Sequence, residues 1–158
     1  MFEYCLEHCN MARHNRINTW SLYFITGLLI LLFVYAGMSK LLSYRIFANQ
    51  LSRSPLVNNY AGLIAIALPV TELIIALLLS FKRTMMAGIY SFIGLMFIFT
   101  AYILGMLFSG VHLPCSCGGV IKYLGWKQHV AVNLFFIALA FIALWMVKRN
   151  KNIVVQRA

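Results

Sequence analysis

The sequence predicts an all-α integral membrane protein, a four-helix antiparallel bundle with a Cys-x-Cys loop between its third and fourth helices. Three observations predict it. First, 63% of the residues are hydrophobic and only 10% are charged, whereas a soluble domain is nearer half apolar and a quarter charged. Second, four apolar stretches are each long enough to cross a hydrocarbon core of ~30 Å at 1.5 Å per helical residue. Third, the cations flank these stretches, as residues that meet lipid headgroups do. The net charge of +10 would point to nucleic acid in a soluble chain. Here its placement assigns the bilayer as partner and excludes nucleic acid.

The elements follow in order. Residues 1–19 form an N-terminal lead, expected to be short and poorly ordered. MARHNRINTW ahead of a span also makes Met11 an alternative start. Residues 20–147 form the transmembrane domain, with spans at about 20–42, 61–81, 85–108 and 129–147, placed by hydropathy. The first span, opened by Trp20 and closed near Lys40, is too long for the apolar core of a signal peptide. In the polar connector after it, Ile46, Phe47 and Leu51 fall near one face, which predicts a short interfacial helix over RIFANQL. Ser54-Pro55 and Asn58-Asn59 are turn signals. The second span contains Pro69 and Glu72, and Lys82-Arg83 makes a tight turn into the third. Gly88, Gly94 and Gly105 in the third allow close helix approach. Residues 148–158 are a basic tail.

Cation counts predict the orientation. Arg13, Arg16, Lys82, Arg83, Lys148, Arg149, Lys151 and Arg157 lie on one side, eight in all, against five on the other: Lys40, Arg45, Arg53, Lys122 and Lys127. The positive-inside rule then puts both termini and the 82–83 turn in the cytoplasm. In a bacterial inner membrane the first connector and the Cys-x-Cys loop face the periplasm, where disulfides form and persist.

The loop, LPCSCGGVIKYLGW, carries the most specific motif. Cys115 and Cys117 are separated by Ser116, behind Pro114 and ahead of Gly118-Gly119. A bridge across so short an interval satisfies disulfide geometry poorly, and strained, exposed disulfides exchange readily. Neighbouring cations favour the reactive thiolate; His112, Lys122, Lys127 and His129 are near in sequence. A structural bridge, inert thiols and a soft-metal site such as Cu(I) are the other readings of the same pair. His129 and Asn133 share a face of the fourth helix, and Trp126 joins that face if the helix starts early.

Glu72 is the one acid after residue 7 and lies near mid-membrane. Such a carboxylate normally faces the bundle interior with a partner. Lys40 is the first candidate partner; Tyr35, Ser39, Thr71, His129 and Asn133 are the others. Three readings stand: a buried ion pair that fixes register, a proton or quinone-headgroup site beneath the loop, and an isolated protonated acid. The quinone is the candidate cofactor, near Lys40, Glu72, His129, Asn133 and Trp126. At the N-terminus, Cys5 and Cys9 would share a face on a helix, and with His8 they form an incomplete metal site.

Four segments carry a family resemblance: GMSKLL, LPVTELIIALLL, PCSCGGV and WKQHVAVNLFF. With these the chain resembles the DoxX-like four-helix membrane proteins, and in particular the MauE branch, from about Trp20 to Val147. The resemblance implies a redox-associated inner-membrane protein that supports periplasmic disulfide formation or maturation of a client, beside a thioredoxin-like partner. DoxX-like relatives further imply a link to quinone. By the same resemblance Cys115 and Cys117 take the redox role and are the catalytic candidates; Lys40 and Glu72 match the family's polar positions with no precise role carried over, and with His129 they are the supporting candidates. The family label fixes no substrate. A non-catalytic assembly factor with structural cysteines, and transport or binding of a small solute or Cu(I) using Glu72, are the competing functions.

Overall fold

A computed structural model describes residues 2–53, 57–108 and 126–155. The described backbone is helical throughout its elements, with no strand: α1 Phe2–Leu42, α2 Tyr44–Ser52, a 3-10 turn at Asn58–Tyr60, α3 Ala61–Ser80, α4 Met85–Phe108 and α5 Trp126–Val155. Four segments are long and apolar enough to cross a membrane: Trp20–Leu42, Ala61–Ser80, Met85–Gly105 and Gln128–Arg149. The chain is therefore a multi-pass membrane protein. The lead differs from the irregular segment expected, because the backbone of α1 is helical from Phe2 into the span. Propagating an existing helix is far easier than nucleating one.

Each spanning helix buries a narrow stripe. On α1 it is Leu22, Thr26, Leu29, Phe33, Gly37 and Lys40; on α3 it is Ala61, Ala65, Pro69, Glu72, Ala76 and Leu79. The spacing of three and four residues keeps one face inward. On α4 the stripe runs through Ile89, Phe92, Met96, Thr100 and Ile103. Outward faces remain apolar: Phe24 is 70% exposed, Leu63 72% and Ile98 64%. Water would not tolerate so continuous an apolar surface, and lipid does.

Helix α1 packs on α3 and α5, α3 on α4, and α4 on α5, so the four long helices close a ring. The diagonal between α1 and α4 is filled by aromatic rings, Phe33 stacking on Phe92 with centroids 4.2 Å apart. Helix α2 lies on α3, where Phe47 and Leu51 bury against Ala61 and Ala65. Its Ile46, expected on that face, is 48% exposed. One residue before Phe47, it is turned about 100° away from it around the helix.

The turn from α3 to α4 is closed by Thr84. Its hydroxyl donates to the Leu78 carbonyl at 2.8 Å, and the Gly88 amide donates to the Thr84 carbonyl at 2.8 Å. A carbonyl at a helix end must find a donor inside a membrane, and Thr84 provides one. Gly88 faces the end of α3, where an added Cβ would lie 2.9 Å from the Leu79 amide nitrogen.

Gly88→Ala is expected to lower stability by about 1–3 kcal/mol, the usual cost of overpacking. Gly94→Ala, with nothing within 4 Å of an added Cβ, is expected to be neutral or to gain up to ~1 kcal/mol in helix propensity. Thermal unfolding of the two variants in one detergent, followed by circular dichroism, checks the contrast.

Candidate functional site

The centre of the site is an ion pair between the Lys40 ammonium and Glu72 Oε1. Lys40 is 4% exposed and Glu72 fully buried. Both side chains sit on the inward stripes, Lys40 one turn beyond Gly37 and Glu72 one turn beyond Pro69. The two glycine and proline positions make the approach possible. A Cβ on Gly37 would stand 3.2 Å from the Pro69 carbonyl oxygen and 3.2 Å from Leu73 Cγ. Hydrogen in place of a methyl lets the backbones of α1 and α3 meet closely. Helical side chains lean toward their own N-terminus and over the preceding turn, so the pair lies against this glycine–proline contact.

Lys40 has a second neighbour that the sequence reading did not single out. Its ammonium lies 5.0 Å from the centroid of the Phe99 ring on α4. A cation over an aromatic face is attracted by the ring quadrupole, and more strongly where water is excluded. The other oxygen of the carboxylate, Glu72 Oε2, is buried without a hydrogen-bond partner among the described residues.

Next to Phe99, Thr100 is buried and its hydroxyl donates to the Met96 carbonyl at 2.8 Å. With its only proton committed, Thr100 Oγ1 can act toward other groups solely as an acceptor. Asn133 of α5 accordingly turns its amide nitrogen to it, at 3.4 Å. One helical turn earlier on α5, His129 is 4% exposed and its Nε2 is buried without a partner among the described residues. Two groups of contacts thus meet on α4: Glu72, Lys40 and Phe99 form one, and Asn133 and Thr100 the other, with Phe99 and Thr100 adjacent in sequence and His129 one turn before Asn133 on α5. Of the five buried polar or charged residues described, four belong to this region; the fifth, Thr26, satisfies its hydroxyl on the Leu22 carbonyl.

The other expected residues fall as follows. Trp126 is the first residue of α5, and its side chain lies outside those described. Cys115 and Cys117 lie outside the described residues altogether, in the 109–125 connection between α4 and α5. Cys5, His8 and Cys9 are on the helical backbone of α1, at a spacing that puts them on one face; their side chains lie outside those described. Among the described residues, no group of three or more His, Cys, Asp or Glu is placed to hold a metal ion.

With this geometry in hand, the comparison with known families is decisive. The family described as Methylamine utilisation protein MauE matches residues 18–146. The chain belongs to the MauE family. The match spans the first three membrane segments, the Lys40–Glu72 pair, the Cys-x-Cys connection and the fourth segment as far as Met146. Comparison with curated proteins and with solved structures gave no match.

Removing one partner of a buried ion pair costs about 3–5 kcal/mol, because the other charge is left unpaired. Lys40→Met is therefore expected to lose about that much stability, whereas Lys40→Met with Glu72→Met should recover most of it. Thermal denaturation of the two single variants and the double variant tests this. A single substitution no more damaging than the double would contradict it.

Proposed function

We propose that this MauE-family protein is a thiol–disulfide redox component of the bacterial inner membrane, acting through Cys115 and Cys117 on a periplasmic thioredoxin-like or client protein. In this reading the spans run alternately up and down, both termini are cytoplasmic, and the 109–125 loop is periplasmic. The observation that carries it is the set of buried polar groups formed by Lys40 and Glu72 on α1 and α3, Thr100 on α4 and His129 on α5, the helix that directly follows the Cys-x-Cys loop. A register-fixing ion pair accounts for Lys40 and Glu72 but not for His129, whose Nε2 is buried without a partner among the described residues.

The exchange balances as follows. A partner thiolate attacks one sulfur of the Cys115–Cys117 disulfide and forms a mixed disulfide, displacing the other sulfur as a thiolate. The partner's second thiolate then attacks the mixed disulfide. The partner leaves oxidised, and Cys115 and Cys117 remain as a dithiol holding two electrons and two protons. Lys122 of the loop and Lys127 in the first turn of α5 favour the displaced thiolate.

A quinone headgroup in the interior would supply a lipid-soluble acceptor for those two electrons and two protons. The residues fit such a group. Glu72 Oε2 and His129 Nε2 are buried polar atoms without partners among the described residues, and buried polar groups are normally satisfied. Glu72 would accept a hydrogen bond from a hydroxyl, and His129 would donate or accept according to its tautomer. Lys40 holds the carboxylate in place, and Asn133, fixed by Thr100, keeps the α5 side of the site polar.

Trapping tests the exchange. Cys115→Ser or Cys117→Ser should hold a partner in a mixed disulfide, seen as a higher-mass band on non-reducing gels that collapses on reduction. If neither variant traps a protein, and the double serine variant supports client maturation as well as the wild type does, the assembly-factor reading replaces this one. Orientation is checked separately with a membrane-impermeant maleimide on intact spheroplasts. Labelling of Cys115 and Cys117 seen only after the inner membrane is permeabilised would reverse the topology.

A further inference from the structure

The other end of the bundle carries a feature that the thiol reading leaves unused. Four cations gather there from two separate stretches of chain. Lys82 and Arg83 form the α3–α4 turn, and Lys148 and Arg149 stand where α5 leaves its span. All four are exposed. Three of them lie over aromatic rings: Lys82 at 5.9 Å from the Tyr23 centroid, Lys148 at 5.8 Å from Tyr90 and Arg149 at 5.3 Å from Trp145. The Lys82 contact ties the turn to α1, and the Lys148 contact ties the end of α5 to the start of α4, so the four cations belong to one face of the protein.

The rings themselves mark a level in the bilayer. Trp20 is 74% exposed, Tyr23 46%, Tyr90 50% and Trp145 61%. Exposed Trp and Tyr at span ends form the belt that sits among lipid headgroups. Cations braced on that belt are held at headgroup depth and lose less freedom on binding a phosphate than free side chains would. Among the described residues the charge is unopposed there. Glu72 is the only acid whose side chain is described, and it is paired with Lys40. Glu7, the nearest other acid in sequence, precedes Tyr23 by sixteen residues on the α1 helix, about 24 Å at 1.5 Å per residue.

We infer that this belt is a binding surface for anionic phospholipid, with Lys82, Arg83, Lys148 and Arg149 contacting the headgroup phosphates and Tyr23, Tyr90 and Trp145 holding the cations at that depth. The partner is a lipid headgroup embedded in the bilayer, not a soluble anion, because the aromatic residues that position the cations are themselves lipid-exposed. The inference stands independently of the thiol chemistry.

Native mass spectrometry of the full-length protein tests it, with the protein released from nanodiscs of equal parts phosphatidylglycerol and phosphatidylcholine. Phosphatidylglycerol should be retained preferentially, and the preference should fall on the order of fivefold for each cation changed to glutamine. The pairs Lys82→Gln/Arg83→Gln and Lys148→Gln/Arg149→Gln should each lower it, so the test survives if the quadruple variant does not fold. Lys82→Arg with Lys148→Arg should keep it. Equal retention of the two lipids by the wild type, or a preference unchanged in both paired variants, would overturn the inference. So would equal competition by free glycerol phosphate, which would mean a soluble-anion site.

Discussion

A carboxylate inside the hydrocarbon core is costly unless its charge is met, and in this protein Glu72 is met by Lys40. Much of the bundle's arrangement follows from that constraint. The pair can form only if α1 and α3 approach closely, which requires Gly37 against Pro69. Sliding α1 by one helical turn would carry Lys40 about 5.4 Å along the axis, separating the pair and moving Gly37 off the proline. Apolar stripes alone specify register weakly in a membrane, because lipid tails are as apolar as the helices. A single charged contact on the stripe supplies the missing specificity, the role for which buried polar groups are best attested.

Along the spans few other described polar side chains need help from outside their own helix. Thr26, Thr71, Ser80 and Thr100 each donate to the carbonyl one turn earlier in their own helix. Such a hydroxyl adds no unsatisfied donor to the membrane interior. Thr100 adds a consequence of its own, since its donated proton dictates which end of the Asn133 amide faces it. Against that background the unpartnered Glu72 Oε2 and His129 Nε2 stand out, because the rest of the described interior is satisfied side chain by side chain.

Much of this was legible in the sequence. Hydropathy placed the four spans within three residues of the apolar helical segments, since twenty or so apolar residues in a row have one economical solution in lipid, while the helices α1 and α5 continue well beyond those segments. Glu72 announced an inward site by being an acid in a span. Lys40 was one partner among several. The choice becomes visible when the stripe is counted, because Leu22, Thr26, Leu29, Phe33 and Gly37 lead to Lys40 at the same three-and-four spacing. What could not be read were contacts between helices distant in sequence. Nothing in Phe99 distinguishes it from the other phenylalanines until α4 is set opposite Lys40. The hydrogen-bond polarity at Thr100 likewise needs the Met96 carbonyl and Asn133 in place. Gly37 passed as an ordinary small residue, and its role depends on Pro69 lying against it. Cys115 and Cys117 lie outside the described residues, so their reading still rests on the motif, its place in the chain and the family.

The placement of the polar groups along the chain links the two halves of the site. On α5, His129 and Asn133 fall within the first two turns, so the whole polar face of that helix lies within about 10 Å of its start at Trp126. On α4, Thr100 stands near the end that leads into the 109–125 connection. The helices that flank the Cys-x-Cys loop in sequence are therefore the same two that carry Thr100, His129 and Asn133, and they meet at Asn133 and Thr100. On α4 the residue next to Thr100 is Phe99, over whose ring the Lys40 ammonium lies. The last turns of α4 and the first turns of α5 therefore hold the polar groups of those two helices that face the bundle interior.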